Sequence, residues 1–121
     1  MPAPDPEQQP PAPAPLAAVI VGTGFGGIGM AIALKQAGVH DFVVLEKARD
    51  VGGVWRDNSY PGAACDVPSH LYSFSFEPNA DWSRMFATQA EIHDYLQRCA
   101  RKHELLPCIR FGAVVERADY D

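Results

Sequence analysis

Positive charge is in short supply in this sequence, with ten Lys and Arg against fifteen Asp and Glu and a formal net charge of −5. Binding nucleic acid or an anionic membrane surface requires clustered positive charge, so neither is expected as a partner. Long apolar runs are absent too, and nothing approaches the roughly 20 apolar residues of a membrane-spanning helix. No positively charged start followed by an apolar stretch precedes Leu16, so neither a secretory signal nor an Arg-rich transit peptide is expected, and a cytoplasmic location follows. Cysteine is sparse: Cys65, Cys99 and Cys108 are too few and too unevenly spaced for a disulfide framework. Metal-ligand spacing is equally thin, because only Cys99 and His103 fall one helical turn apart and two ligands do not make a structural site; no metal is expected.

Proline is unevenly placed, with seven of the eleven in the first fifteen residues. Residues 1–15 therefore read as a disordered Pro/Ala-rich leader that cannot bury apolar area. The core must come from residues 16–121. Leu16 to Val21 is a continuous apolar run without alternation, which predicts a central parallel strand covered on both faces. Gly22-Thr-Gly24-Phe25-Gly-Gly27 follows, then a helical segment carrying Ile28, Ala31, Ile32 and Leu34 that ends at Gly38. Phe42 to Leu45 is a second strand, closed by Glu46. Strand, helix and strand in about 30 residues have the size of a right-handed crossover unit.

The stretch from Lys47 to Asp81 reads as loop without a helix, apart from Tyr72, Phe74 and Phe76, whose alternation with serines predicts a short extended segment. Thr88 and Glu91 form a capping-box pattern ahead of the stripe Ile92, Leu96, Cys99, a helix that Pro107 is expected to stop. Ile109 to Ala118 reads as one or two further strands.

The chemistry sits in the glycine turn. In Gly22-x-Gly24-x-x-Gly27 the first glycine permits a tight turn, the second lets a pyrophosphate approach the backbone, and the third lets the helix pack closely on the strand. Helix-start N–H groups then meet the phosphates with the favourable end of the helix dipole. Glu46 stands 24 positions after Gly22 and 19 after Gly27. A carboxylate at that point accepts hydrogen bonds from adenosine ribose hydroxyls and repels a 2′-phosphate, which favours FAD or NAD over NADP at this site. The Gly52-Gly53 pair just beyond suggests a second close backbone approach, which the longer FAD needs more than NAD does. Read alone, Trp55, Tyr72, Phe74 and Phe76 are equally suited to a core, Cys65 to packing, and Asp66 to capping a turn before Pro68. A paired redox cysteine, which a flavin disulfide reductase needs near its glycine loop, does not occur between Gly53 and Cys65.

The succession GTGFGG, VVLEK, DVGGVW and YPGAACDVPSHLYSFSF resembles the N-terminal FAD-binding part of class B flavin-dependent monooxygenases, and most of all the Baeyer–Villiger monooxygenases, from about Ala17 to Asp121. The resemblance implies an α/β fold, a Rossmann-like FAD-binding βαβ unit that is incomplete, being the first part of a flavoprotein with two dinucleotide-binding domains. It implies that Gly22, Gly24, Phe25 and Gly27 hold the FAD pyrophosphate and that Glu46, with Lys47 beside it, holds the adenosine. Gly53, Val54 and Trp55 would line the flavin side, Tyr72 would also face FAD, and the Val115 backbone would lie near the adenine. Ala64, Cys65 and Asp66 would border the nicotinamide of NADPH, and Asp66 would be the catalytic-site carboxylate beside the isoalloxazine, positioning an arginine from a later part of the chain. The implied reaction is NADPH-dependent insertion of one oxygen atom of O₂ into a small-molecule ketone or a soft heteroatom. The second glycine fingerprint, the His- and Trp-containing signature and the arginine of that family do not occur in these 121 residues. The strand that flanks the first strand on its other side in this fold is also missing from these residues, which leaves Leu16 to Val21 with an open edge, so the chain alone is expected to be marginally folded, to bind FAD weakly and to lack turnover. A flavin N- or S-monooxygenase, or a non-catalytic flavin-binding module completed by a partner chain, are the alternatives.

Overall fold

The computed structural model describes residues 14–121, so the expected leader falls outside the described residues except for Ala14 and Pro15. Three short strands form one parallel sheet in the order β1-β2-β3: β1 (Ala18–Val21), β2 (Phe42–Leu45) and β3 (Ile109–Arg110). β1 pairs with β2 from Ala18 opposite Phe42 to Val21 opposite Leu45, and β2 pairs with β3 at Val44 and Ile109. The expected crossover unit is present, with helix α1 (Phe25–Gln36) between the first two strands.

Helix α1 closes where Gly38 adopts a positive φ of 80° and donates its N–H to the Lys35 carbonyl. Its inner face carries Ile28, Ala31 and Ile32, which are buried against Ile20, Phe42 and Val44 of the sheet. Helix α3 (Gln89–Lys102) lies in the same core through Tyr95, Leu96, Cys99 and Ala100. The Thr88 side chain caps it by accepting the Glu91 N–H, as the sequence predicts.

Four expectations need correction. The first strand, read as central and covered on both faces, forms the sheet edge among the described residues, with Val19 and Val21 55% and 65% exposed, in keeping with the open edge expected where its flanking strand is missing. No described strand pairs with its outer side. A one-turn helix, α2 (Val54–Asp57), interrupts the stretch expected to hold none. It forms because the carbonyls of Gly53 and Val54 accept from Asp57 and Asn58 N–H groups, with Gly53 supplying the φ of 56° that starts the turn. Tyr72 to Phe76 is a turn rather than an extended segment. The Phe74 carbonyl accepts the Glu77 N–H, and the Phe74 N–H goes to the Tyr95 hydroxyl at 2.9 Å, which leaves no ladder to join.

Helix α3 also stops before Pro107 can act. It ends at Lys102 in a Schellman arrangement, with Glu104 at a φ of 55° donating to Arg101 and Leu105 donating to Ala100. Lys35 from α1 reaches across to the carbonyls of His103 and Glu104 at 3.1 and 2.8 Å, tying the two helix ends together. After β3 the chain turns at Gly112, and Gly112 and Ala113 donate to Ala48 and Glu46. Of the one or two strands expected in Ile109 to Ala118, the described residues hold one, β3.

Candidate dinucleotide cleft

The glycine turn lies between the C-terminal ends of β1 and β2, the crevice where open α/β sheets bind ligands. Gly22 adopts a φ of 92°, a conformation that suits glycine. Gly27 is fixed by packing, since a Cβ there would overlap the Gly22 carbonyl oxygen. This is the close helix-to-strand approach expected of the third glycine. Gly24 instead meets Gly53: a Cβ on Gly53 would stand 2.9 Å from the Gly24 Cα. The Gly52 N–H donates to the Thr23 carbonyl at 2.9 Å, so the second glycine pair is docked on the first glycine turn through backbone.

A cleft of about 320 Å³ opens here, lined by Val21 to Thr23, Leu45 to Lys47, Gly53, Arg56, Asp57 and Ala113 to Val115. Glu46 is only 2% exposed and is heavily hydrogen-bonded. Its Oε1 accepts from the Thr23 N–H at 3.1 Å and the Thr23 hydroxyl at 2.5 Å and lies 3.2 Å from Arg56 Nη1. Its Oε2 accepts from the Ala48 N–H at 2.8 Å. Burial pushes the Glu46 carboxyl up, but the hydrogen bonds from Ala48, Thr23 and Arg56 outweigh it, and the carboxyl titrates below its usual value. Arg56 is held above its usual value, chiefly by its hydrogen bonds to Asp57 and despite desolvation, with Glu46 adding to the effect.

Gly22, Glu46, Lys47, Gly53 and Val115 of the expected site therefore share one cleft. Gly24, Phe25, Gly27, Trp55 and Tyr72 do not line it, and Trp55 and Tyr72 form an aromatic group with Phe25. Trp55 Nε1 donates to the Tyr72 hydroxyl at 3.0 Å, and Phe25 packs edge-on against Tyr72 with centroids 5.1 Å apart. Val54, Trp55 and Ala64 border a neighbouring depression of about 270 Å³. Cys65 is buried, with its Sγ 3.4 Å from the Val67 N–H, whereas Ala64 and Asp66 on either side are exposed. Asp66 lies in neither the cleft nor that depression.

Thr23 and Arg56 were not anticipated. Thr23 occupies a position that the glycine spacing leaves free, and Arg56 reaches Glu46 from α2, an element the sequence did not predict.

The donor set fits a dinucleotide. The first N–H groups of a helix have no partner within it, and no side chain caps α1 at Gly24, so these amides remain available to a pyrophosphate. An ionised carboxylate has about four acceptor sites, so Glu46 Oε2 retains capacity for a ribose hydroxyl beyond its bond from Ala48.

A parallel strand-helix-strand unit with a glycine turn opening its helix towards a carboxylate on the next strand defines a Rossmann-type dinucleotide-binding domain. Residues 20–88 match the family described as NAD(P)-binding Rossmann-like domain, and the chain belongs to that family.

Among curated proteins the chain is similar to a Baeyer–Villiger monooxygenase of Streptomyces coelicolor, 56% identical over 95 residues, which cover 78% of this chain and 18% of the relative. It is also similar to a Baeyer–Villiger monooxygenase of Pseudomonas aeruginosa, 60% identical over 79 residues, covering 65% of this chain and 15% of the relative. Among solved structures, an oxidized steroid monooxygenase bound to NADP superposes with a TM-score of 0.73 at 42% identity, covering 78% of this chain and 19% of that one. Cyclohexanone monooxygenase from Rhodococcus sp. Phi1 bound to NADP⁺ gives 0.76 at 39% identity, covering 80% and 19%. The chain thus spans less than a fifth of the length of these relatives. The resemblance read from the GGVW and YPGAACD segments is borne out as sequence and structural similarity.

Proposed function

We propose that this chain is the FAD-binding part of an NADPH-dependent flavin monooxygenase of the Baeyer–Villiger type, which inserts one oxygen atom from O₂ into a small-molecule ketone. The observation that carries the reading is the glycine turn that leads from β1 into the uncapped start of α1, with Gly22 and Thr23 of that turn lining one cleft with the acceptor carboxylate of Glu46. The 56% and 60% identity to Baeyer–Villiger monooxygenases supports the choice of reaction class.

In this reading the amides at the start of α1 bind the FAD pyrophosphate, and Glu46 orients the adenosine by accepting from its ribose. Gly53 keeps the second loop close to the cofactor, and the backbone of Val115 borders the adenine. The bound flavin supplies the redox chemistry that activates O₂, with NADPH as the electron source. Asp66, exposed beside the buried Cys65, is free to pair with an arginine near the flavin ring. Trp55 and Tyr72 brace one another and exclude water behind the flavin side.

The test is to dialyse the purified chain to equilibrium against FAD, and then to add NADPH while following O₂. The expected result is weak, saturable flavin binding without sustained O₂ consumption, the latter appearing only in a polypeptide that also carries an NADPH-binding half. Absence of saturable flavin binding would defeat the proposal.

A further inference from the structure

Arg56 belongs to α2, directly after Trp55, and its side chain turns back across the loop to the end of β2. All its nitrogens are committed. Nη1 donates to the Asp50 carbonyl at 2.7 Å and lies 3.2 Å from Glu46 Oε1, while Nε and Nη2 grip the Asp57 carboxylate at 2.8 and 3.1 Å. The Arg56 side chain is only 13% exposed, whereas that of Asp57 is about half exposed. The guanidinium is therefore a fixed bracket shared by two carboxylates, not a free cation at the cleft.

The bracket has a consequence for Glu46. Thr23 and Arg56 together occupy Oε1, so the carboxylate cannot rotate without losing a charge-assisted bond in a nearly water-free position. Oε2, with one bond from Ala48, is left as the oxygen with spare acceptor capacity. Asp57 meanwhile answers the charge on Arg56, which leaves Glu46 facing an incoming group as a net negative partner. A hydroxyl suits that arrangement. A phosphate does not.

We infer that Arg56 is a positioning residue for ribose recognition: it holds Glu46 so that Oε2 takes the adenosine 2′-hydroxyl, and its pairing with Asp57 denies the cleft a cation for a 2′-phosphate. This rests on the reading of the cleft as an adenosine site, and the experiment separates the two.

The whole chain is titrated calorimetrically with ADP, 2′-deoxy-ADP and 2′-phospho-ADP. The wild type is expected to prefer ADP over 2′-deoxy-ADP by roughly tenfold, the worth of one hydrogen bond to a charged group, and to bind 2′-phospho-ADP more weakly than ADP. In Arg56→Met the ADP to 2′-deoxy-ADP ratio falls to about twofold or less, because a wandering carboxylate no longer reads the hydroxyl. Arg56→Lys keeps the charge without the fork and gives an intermediate ratio; it carries the test should the Met variant not fold. In Asp57→Asn the penalty on 2′-phospho-ADP shrinks. Equal weakening of ADP and 2′-deoxy-ADP in the Arg56 variants, with the ratio kept, makes Arg56 merely structural and overturns the inference while the adenosine site stands. An undiminished penalty in Asp57→Asn overturns the role of that pairing. No binding of ADP by the wild type removes the adenosine site and the inference with it.

Discussion

Gly24 and Gly27 stand in one turn yet answer to different demands. A side chain at Gly27 would collide with backbone, the Gly22 carbonyl, which cannot move without unpacking α1 from β1. Gly27→Ala should therefore cost about 3 kcal/mol or more, the range of overpacking a tight contact, read as a lowered denaturant midpoint. A methyl at Gly24 meets only the Gly53 Cα at 3.8 Å, an ordinary contact, and its backbone φ of −76° suits any residue. Gly24→Ala should leave the midpoint nearly unchanged but weaken FAD binding, because the methyl occupies the approach to the amides. Equal loss of stability in both variants would contradict the division of labour.

Glu46 gives a prediction in acid. Its carboxyl titrates below 4.5 in the folded chain, with the hydrogen bonds from Ala48, Thr23 and Arg56 outweighing burial. A folded value below the unfolded one contributes stability that is complete above the unfolded value and is lost as the pH falls through the folded value. The melting temperature of the wild type should thus fall more steeply below about pH 4.5 than that of Glu46→Gln. Parallel pH profiles would show that the carboxylate is not held as described.

Among the elements, α3 carries its own boundaries most visibly, with one exception at its end. Glu104 closes the helix in a left-handed conformation that favours glycine, and its φ is 55°. Glu104→Gly should raise stability by roughly 0.5–1 kcal/mol, measured by denaturant unfolding, since it removes the strain without touching the Lys35 bonds to the carbonyls. Thr88, Glu91 and the Ile92 to Cys99 stripe were legible because capping and periodicity lie within the helix. The same holds for β2, and for α1 with Gly38 after it. Helix α2 was not legible, because distant partners hold it: Gln89 donates to the Trp55 carbonyl, and Thr23 accepts from Gly52. The alternation in Tyr72 to Phe76 misled for a related reason. Alternate aromatics serve a turn as well as a strand, and here Phe74 and Phe76 stack at 5.0 Å while Tyr95 takes the Phe74 N–H. At the site, Gly22 and Glu46 were readable from motif spacing. Thr23 and Arg56 were not, since each acts through where a loop folds.

Across the whole molecule, the exposed edge of β1 matters most. Its outer side is unpaired among the described residues, and Leu16, Val19 and Val21 are all exposed. No charged residue stands between Glu7 and Lys35 to blunt such an edge. Uncharged apolar edges are templates for further strand pairing, so the chain alone should self-associate with rising concentration, and Val19→Lys should suppress this in light scattering. Scattering that is independent of both concentration and this substitution would contradict the reading.

The proposed function requires that the cleft between β1 and β2 hold the adenosine half of FAD. The most direct measurement is a flavin-fluorescence titration of the 121-residue chain with FAD, followed by competition with ADP and with FMN. Saturable binding at one FAD per chain, displaced by ADP and indifferent to FMN, is the predicted result. Absence of saturation, or displacement by FMN as readily as by ADP, would contradict it.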